Sequence, residues 1–154
     1  MKEIALTEPL VDNVELKAVV SDPCAVLSLD LYTVQSSDLS FKAPFSLPAK
    51  RNDFVHALIA WFDIDFTACH KPISFSTGPH AKYTHWKQTV FYLRDVLTME
   101  DGEVLNGYLE NKPNDKNKRD LDIPSRTGLK PRTRCVSPRT AASTGCKWLM
   151  YASF

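Results

Sequence analysis

Apolar and polar residues alternate along much of the chain between residues 25 and 123, which is the pattern of strands with one buried face. In AVLSLDLYTV (25–34), Leu27, Leu29 and Leu31 fall on one face, and Ser28 and Asp30 fall on the other. The same period predicts further strands in LSFKAPFSLPAK (39–50), RNDFVHALIAWFDIDF (51–66), HWKQTVFYLRDVLTM (85–99), VLNGYLENKP (104–113) and from residue 121 onward. Short strands at regular spacing are typical of antiparallel barrels and sandwiches. The pattern therefore predicts a mainly β protein with an antiparallel, barrel-like domain.

Two of these strands need a further argument. The two prolines in residues 39–50 restrict that segment to an edge strand or an extended connection, because proline donates no ladder hydrogen bond. The first half of residues 51–66 is apolar at nearly every position and would suit a helix by composition. Its second half decides for a strand, because Phe62, Ile64 and Phe66 alternate with polar residues.

The remaining segments are interpreted from their turn-forming residues. EDGE (100–103) predicts a tight turn, NDKNKRD (114–120) a polar turn, and CHKPISFSTGPHAKY (69–83) a loop. EPLVDNVELKAVV (8–20) is the one segment predicted as a short helix.

Composition is that of an ordinary globular domain. The chain has 154 residues, of which 44% are hydrophobic and 24% charged. No apolar run is long enough to span a bilayer, and the acidic N-terminus does not predict a signal peptide. The four cysteines, Cys24, Cys69, Cys135 and Cys146, form no CxxC pair, which predicts free thiols in a reducing compartment. We therefore expect a cytoplasmic or nuclear protein without a membrane partner.

Charge divides the chain at about residue 123. Residues 1–123 hold thirteen Lys/Arg and eighteen Asp/Glu, whereas residues 124–154 hold six Lys/Arg and no acidic residue. The second segment has no sustained apolar period and predicts a disordered basic tail that ends in the apolar cluster KWLMYASF. Its positive charges could bind phosphate non-specifically, but few aromatic residues accompany them to stack bases. Nucleic-acid binding is therefore the weakest functional hypothesis.

Catalytic and metal-binding motifs are sparse. The histidines and cysteines have no metal-ligand spacing, so no metal site is predicted. The five glycines never approach a nucleotide-binding GxGxxG pattern. Cys69 and His70 are adjacent and point opposite ways in an extended chain, so an inert cysteine is favoured over a nucleophile.

YTHWKQTVFYL (83–93) holds the most distinctive candidate residues, His85 and Trp86. They could be buried packing residues at a strand end. They could also line a pocket, because an indole attracts cations and a histidine can bond a carboxylate or move a proton. Composition alone favours packing.

Five segments together resemble the C-terminal β-barrel domain of the type I protein arginine N-methyltransferases, in their fungal form. They are EPLVD, LDLYTV, KRNDFVHALIAWFDIDF, CHKPISFSTGPHAKYTHWKQTVFYL and NKPNDKNKRDLDI. The resemblance runs from about Lys2 to Ile123, and its most specific part is YTHWKQTVFY. It implies two regions: a methyltransferase β-barrel domain at 1–123, and a divergent basic tail at 124–154 that is disordered or out of frame.

The resemblance also implies a chemistry. The family transfers a methyl group from S-adenosylmethionine to protein arginine, giving asymmetric dimethylarginine in Gly/Arg-rich proteins and histone H4, in cytoplasm and nucleus. His85 is implied as a catalytic residue that pairs with an aspartate of the cofactor domain. Trp86, with Thr84 and Tyr83, is implied to line the substrate-arginine pocket, and a planar guanidinium can stack on an indole.

The sequence also departs from the family pattern. The cofactor domain should precede the barrel, and its glycine-rich loop, its two substrate-gripping glutamates and the aspartate partner of His85 are not found in these residues. We therefore expect the chain alone to bind no S-adenosylmethionine and to be inactive. The alternative is a non-catalytic module that associates with a full-length methyltransferase, as a homo- or hetero-oligomer, or with Arg-rich substrates.

The tail departs as well, since acidic closing strands are expected after Ile123. When residues 129–134 are back-translated and read from the last base of the Leu129 codon, they give the acidic run Glu-Thr-Glu-Asp-Pro. One hypothesis for the tail is therefore a shifted reading frame or a retained intron. Loss of those strands would leave the barrel incomplete, with an open edge.

Overall fold

The strands form two antiparallel sheets. The computed structural model describes residues 8–130 and 145–153. A six-stranded sheet has the order β1-β6-β4-β10-β2, with β5 also paired to β4, and a four-stranded sheet has the order β3-β7-β8, with β9 also paired to β7. The strands are β1 (Leu10–Asp12), β2 (Cys24–Asp30), β3 (Phe41–Pro48), β4 (Asp53–Phe66), β5 (Ile73–Ser76), β6 (Gln88–Met99), β7 (Val104–Pro113), β8 (Leu121–Asp122), β9 (Ser125–Lys130) and β10 (Gly145–Ser153).

This architecture confirms the predicted fold class. The described residues are mainly strands, and their only helical segments are two 3-10 turns at Leu16–Ala18 and Ser36–Leu39. In this part of the chain the two sheets do not join into a closed barrel. None of its helical turns has the length and hydropathy needed to cross a membrane.

The main core lies between the two sheets. The six-stranded sheet contributes Val55 and Leu58, and the four-stranded sheet contributes Phe45, Leu47 and Leu105. All five are at most 3% exposed. Fully burying a side chain of this size stabilises a fold by about 1.5–3 kcal/mol, so this layer joins the sheets.

β4 is apolar at every position from Ala57 to Phe62 because both of its faces are covered there. Leu58 faces the main core, whereas Ile59 and Trp61 form a second cluster that is covered by Val14 and Val19. A strand buried on both faces loses its alternation, which explains its helix-like composition. The strand predicted at residues 51–66 is confirmed at Asp53–Phe66.

The helix predicted at residues 8–20 is wrong. Leu10–Asp12 forms β1 on β6, and only the turn Leu16–Ala18 is helical. The amide of Val14 bonds the side-chain oxygen of Gln88 at 2.8 Å rather than a carbonyl of its own segment. Pairing with β6 and coverage of Trp61 therefore outweigh a weak helical preference.

The loop predicted at residues 69–83 contains one strand that the prediction missed. Ile73–Ser76 pairs with Asp63–Phe66 of β4 as β5. The sequence ISFS does alternate, but its neighbouring prolines, glycine and serines concealed the pattern.

The predicted turns are confirmed. Gly102 has a φ of 81° in the turn between β6 and β7, and the amide of Glu103 bonds the carbonyl of Glu100 at 3.0 Å. The polar turn before β8 is held by Asn114, whose side-chain oxygen accepts bonds from the amides of Lys116 and Asn117. β3 lies at the end of its sheet, as its prolines predict.

The expectation of a tail without regular structure is corrected for two segments. Ser125–Lys130 pairs with β7 as β9, and Gly145–Ser153 pairs with both β4 and β2 as β10. β10 is therefore an inner strand of the six-stranded sheet, between β4 and β2. A short apolar segment can become a central strand when two neighbours bond its backbone, whatever the charge of the residues before it. Residues 131–144 lie outside the described residues, and the shifted reading frame stays a prediction.

Candidate functional site at the loop between β5 and β6

β4 changes its partner along its length, and the candidate site lies where the change occurs. Residues Asp53–Ala60 pair with β6, whereas Asp63–Phe66 pair with β5. Because β10 occupies the other edge of β4, β5 and β6 follow one another along the same edge. Residues 77–87, here named the connecting loop, therefore leave the sheet and return to it beside Trp61 and Phe62.

Hydrogen bonds close the base of the connecting loop. The amide of Thr77 bonds the carbonyl of Phe62 at 3.0 Å, and the amide of Phe62 bonds Thr77 Oγ1 at 3.2 Å. Gln88 Nε2 donates to the carbonyl of Thr77 at 2.6 Å, while its Oε1 accepts the amide of Val14. Gln88 and Thr77 are 6% and 2% exposed. Bonds shielded from water in this way hold a loop more firmly than exposed ones do.

Gly78 lets the loop pass close to the Trp61 ring. A Cβ at this position would lie 2.7 Å from Trp61 Nε1 and 2.8 Å from Trp61 Cε2. His80 then packs its ring edge-on against Trp61, with 6.0 Å between the ring centroids. The first half of the loop is therefore fixed on the second core cluster.

An aromatic patch lies where the second half of the loop meets β4 and β5. It is defined as Phe62, Phe75, His85 and Trp86. Trp86 stacks on Phe75 at 5.8 Å and meets Phe62 edge-on at 5.9 Å between centroids. The His85 ring lies 4.0 Å from the Trp86 ring, tilted by 35°. Aromatic pairs contribute about 0.5–1.5 kcal/mol each beyond area burial, so Trp86 is held from more than one side.

Trp86 is partly packed and partly exposed. Its indole packs against β4 and β5, yet 46% of the side chain stays exposed. His85 is exposed, and β6 begins only at Gln88. Trp86 is thus a supported aromatic surface that can receive a ligand, rather than a buried core residue.

The structure brings the predicted site residues together. Tyr83, Thr84 and Trp86 line one small cavity of about 180 Å³, on the side where Asn13 also lies. The Thr84 hydroxyl bonds the Trp86 carbonyl at 3.0 Å, which fixes the bend of the loop. Tyr83 is 71% exposed at the cavity rim. His85 lies beside this lining, in contact with the Trp86 ring.

An ion pair lies next to the patch. Lys87 Nζ is 3.2 Å from a carboxylate oxygen of Asp12. The backbone amide of Asn13 is the main cause that lowers the pKa of Asp12, and Lys87 lowers it further. This arrangement keeps a negative charge on β1 beside the loop.

Metal and cofactor chemistry finds little support in the described residues. They contain no group of three or more His, Cys, Asp or Glu side chains placed to hold a metal ion. The cavity at Trp86 is smaller than the roughly 300–1,000 Å³ of cofactor sites. A second, larger cavity is almost wholly apolar and does not suit a charged sulfonium and carboxylate. Neither of these two cavities therefore fits S-adenosylmethionine.

Sequence reasoning missed the residues that support the patch. Phe75 and Thr77 lie in the segment predicted as a loop (69–83), and Gln88 lies in the strand predicted at 85–99, where the pattern assigns it no role. A polar residue at the first position of an apolar strand, such as Gln88, was the one available signal of a buried hydrogen bond.

Comparison with known proteins gives a consistent result. The profile of the arginine methyltransferase oligomerization subdomain matches residues 1–126. Protein arginine N-methyltransferase 1 of Schizosaccharomyces pombe is 53% identical over 132 residues, which cover 86% of this chain and 39% of that protein. Protein arginine N-methyltransferase 1.1 of Arabidopsis thaliana is 51% identical over 123 residues, 80% of this chain and 32% of that protein. The chain thus spans less than half the length of these relatives.

Two solved structures are also similar. The enzyme–prozyme heterotetrameric complex of arginine methyltransferase 1 from Trypanosoma brucei, solved with AdoHcy, superposes with a TM-score of 0.80 at 40% identity. That match covers 83% of this chain and 41% of the other. Arginine methyltransferase 10 of Arabidopsis thaliana gives a TM-score of 0.77 at 19% identity over 93% of this chain and 42% of the other, which shows a shared fold.

Proposed function

Since the chain belongs to the protein arginine methyltransferase family and corresponds to its C-terminal oligomerization and barrel subdomain, we propose that it supplies one wall of a substrate-arginine site. The observation that carries this proposal is the half-exposed indole of Trp86, supported from behind by Phe62 and Phe75. A guanidinium ion can stack on such a surface, because its charge is delocalised and weakly hydrated.

The other predicted residues have matching roles in this proposal. His85 is exposed beside Trp86, so it can reach a carboxylate on another domain or chain and hold it close to the arginine. Tyr83 and Thr84 form the rim through which the peptide of an arginine-containing substrate passes. S-adenosylmethionine is bound by residues other than those described, and the 154-residue chain by itself transfers no methyl group.

The proposal is tested in a chimera in which residues 1–126 replace the matched segment of the S. pombe relative. Methyl transfer to a Gly/Arg-rich peptide and to histone H4 is measured for Trp86→Ala and His85→Ala. A cation–π contact contributes about 0.5–2 kcal/mol, so Trp86→Ala should lower kcat/KM between about twofold and thirtyfold. Tyr92→Ala is the matched control, because Tyr92 is an aromatic residue of similar exposure, 43%, on β6.

The outcomes separate the proposal from a general loss of folding. Thermal melting of each chimera must match that of the parent. Equal kcat/KM for the parent and for Trp86→Ala would exclude the proposed wall. Turnover by the 154-residue chain alone, in the presence of S-adenosylmethionine and peptide, would contradict the division of roles between this chain and the cofactor site.

A second function is association with a methyltransferase, which the matched oligomerization subdomain favours. β1 is a short strand at the edge of its sheet, and its Leu10 and Val11 are 46% and 59% exposed. An exposed apolar edge strand is a surface for another chain. The tagged chain should co-purify with the S. pombe relative, and Val11→Lys should abolish the complex. Val96→Lys, at a similarly exposed position on β6, should leave it intact, and equal loss in both variants would refute the β1 surface.

A further inference from the structure

The described side chains of the two sheets leave part of the space between them unfilled. A cavity of about 360 Å³ lies between the inner faces of the sheets. Leu27 and Phe91 of the six-stranded sheet form one wall, and Phe41 and Leu109 of the four-stranded sheet form the other. Ala60 of β4 is a buried residue of the lining, and its small side chain leaves room there.

The described lining of the cavity is apolar and uncharged. Thr89 and Asn111 are its two polar residues. Asn111 Nδ2 donates to the carbonyl of Leu39 at 2.8 Å, which holds this amide in the lining. An ionised ligand group would lose its hydration here without a charged partner, which is unfavourable.

The cavity has a mouth at the surface. Leu39, at the end of a 3-10 turn, and Leu121, at the start of β8, both line it and are 49% and 56% exposed. Both lie beside polar turns, so a ligand can enter between them without opening either sheet.

We propose that this cavity binds a small neutral apolar ligand, of two or three aromatic rings or an equivalent branched hydrocarbon. An apolar cavity of about 150 Å³ stays dry and binds one benzene molecule, and this cavity has more than twice that volume. Its volume also falls within the range of about 300–1,000 Å³ that is usual for small-molecule sites. The proposal does not depend on the arginine site, because Trp86 and the connecting loop lie outside the lining.

The test is a fluorescence titration of the full 154-residue chain with N-phenyl-1-naphthylamine, a neutral probe that brightens in apolar surroundings. The wild-type chain should saturate at one probe per chain, and naphthalene should displace the probe. Ala60→Leu fills the cavity and should weaken binding at least tenfold. Thr89→Leu is a second filling variant on another strand. Ala68→Leu adds the same atoms in an exposed turn and should bind as the wild-type chain does.

Folding is checked for every variant by thermal melting. The ligand should raise the melting temperature of the wild-type chain and of Ala68→Leu more than that of Ala60→Leu and Thr89→Leu. Uptake of many probes per chain, or unchanged binding by folded Ala60→Leu and Thr89→Leu, would overturn the proposal. As a measurement that needs no variant, naphthalene should shift the amide resonances of residues around Phe91 and Leu109. Shifts confined to other regions, or a dimer that competes with the probe, would also refute a small-molecule site.

Discussion

Gln88 offers the sharpest test of how the connecting loop is held. Gln88→Glu replaces one NH2 group by oxygen and changes little in shape. The variant keeps the acceptor for the Val14 amide but loses the donor to the Thr77 carbonyl, which lies 2.6 Å from Nε2. Because Gln88 and Thr77 are almost fully buried, the carbonyl is left without this partner and faces a carboxyl oxygen. The expected loss is about 1–3 kcal/mol in the free energy of unfolding.

The introduced carboxyl also makes the loss depend on pH. Its protonated form can still donate to the Thr77 carbonyl, so folding raises its pKa above the ordinary value of about 4.3. A group with a raised carboxyl pKa favours the folded state at low pH, and this stability is lost as the pH rises from the unfolded pKa through the folded one. The free energy of unfolding of Gln88→Glu should therefore be closer to that of the wild-type protein at pH 4 than at pH 7.

Urea unfolding at pH 4 and pH 7 measures both effects. With an m-value of about 1–3 kcal/mol/M, the expected midpoint shift at pH 7 is on the order of 1 M. Gln35→Glu is the matched control, because Gln35 Nε2 also donates to a backbone carbonyl, that of Thr33, at an exposed site. The free energy of unfolding of Gln35→Glu should differ from that of the wild-type protein by no more than about 0.5 kcal/mol. If the two variants lose equal stability, or if Gln88→Glu loses as much at pH 4 as at pH 7, the reasoning is refuted.

Two further predictions concern β7 and the ion pair beside the loop. A Cβ at Gly107 would clash with the carbonyl oxygen of Arg126 and lie 2.5 Å from Phe45 Cζ, so Gly107→Ala should destabilise the fold by about 1–3 kcal/mol in urea unfolding. Gly128→Ala, which meets nothing within 4 Å, should change stability far less, and a similar loss in both would show that β9 does not lie against β7 as described. Lys87→Met should raise the pKa of Asp12 only part of the way to its ordinary value, because the Asn13 amide remains. Carboxyl NMR titration measures this, and a full return to the ordinary pKa would contradict the order of causes. Since the folded-state pKa of Asp12 is lowered, its contribution to stability is present above the unfolded pKa and is lost as the pH falls through the folded one.

The connecting loop shows how far sequence reasoning reaches. The THW segment and its resemblance led to Tyr83, Thr84, His85 and Trp86, and the structure places these residues side by side. The hydrogen bonds that hold this loop were not predictable. Thr77 and Gln88 form them only because β4 pairs with β6 along one part of its length and with β5 along the next. The functional roles of the four residues stay predictions until the chimera is assayed.

The N-terminal segment and the tail are the two regions where the conformation predicted from the sequence differs from the structure. Residues 8–20 have a weak helical pattern. Their conformation is decided instead by pairing with β6 and by the packing of Val14 and Val19 over Trp61. The tail was judged by its charge, whereas Gly145–Ser153 takes its conformation from the two strands that it joins. Backbone pairing with distant residues leaves no local period, so neither outcome was visible in the sequence.

The sequence by itself determined β2, β3, β4, β6 and β7, the start of β8, the tight turns and the family, because side-chain alternation and turn chemistry are local properties. Only the tertiary structure decided three further features: the partner change along β4, the half-exposed position of Trp86 on Phe62 and Phe75, and the apolar cavity between the sheets. Each of these depends on which faces meet across the fold and on how much of the space between them the side chains fill. Such quantities are set by packing between segments far apart in the chain.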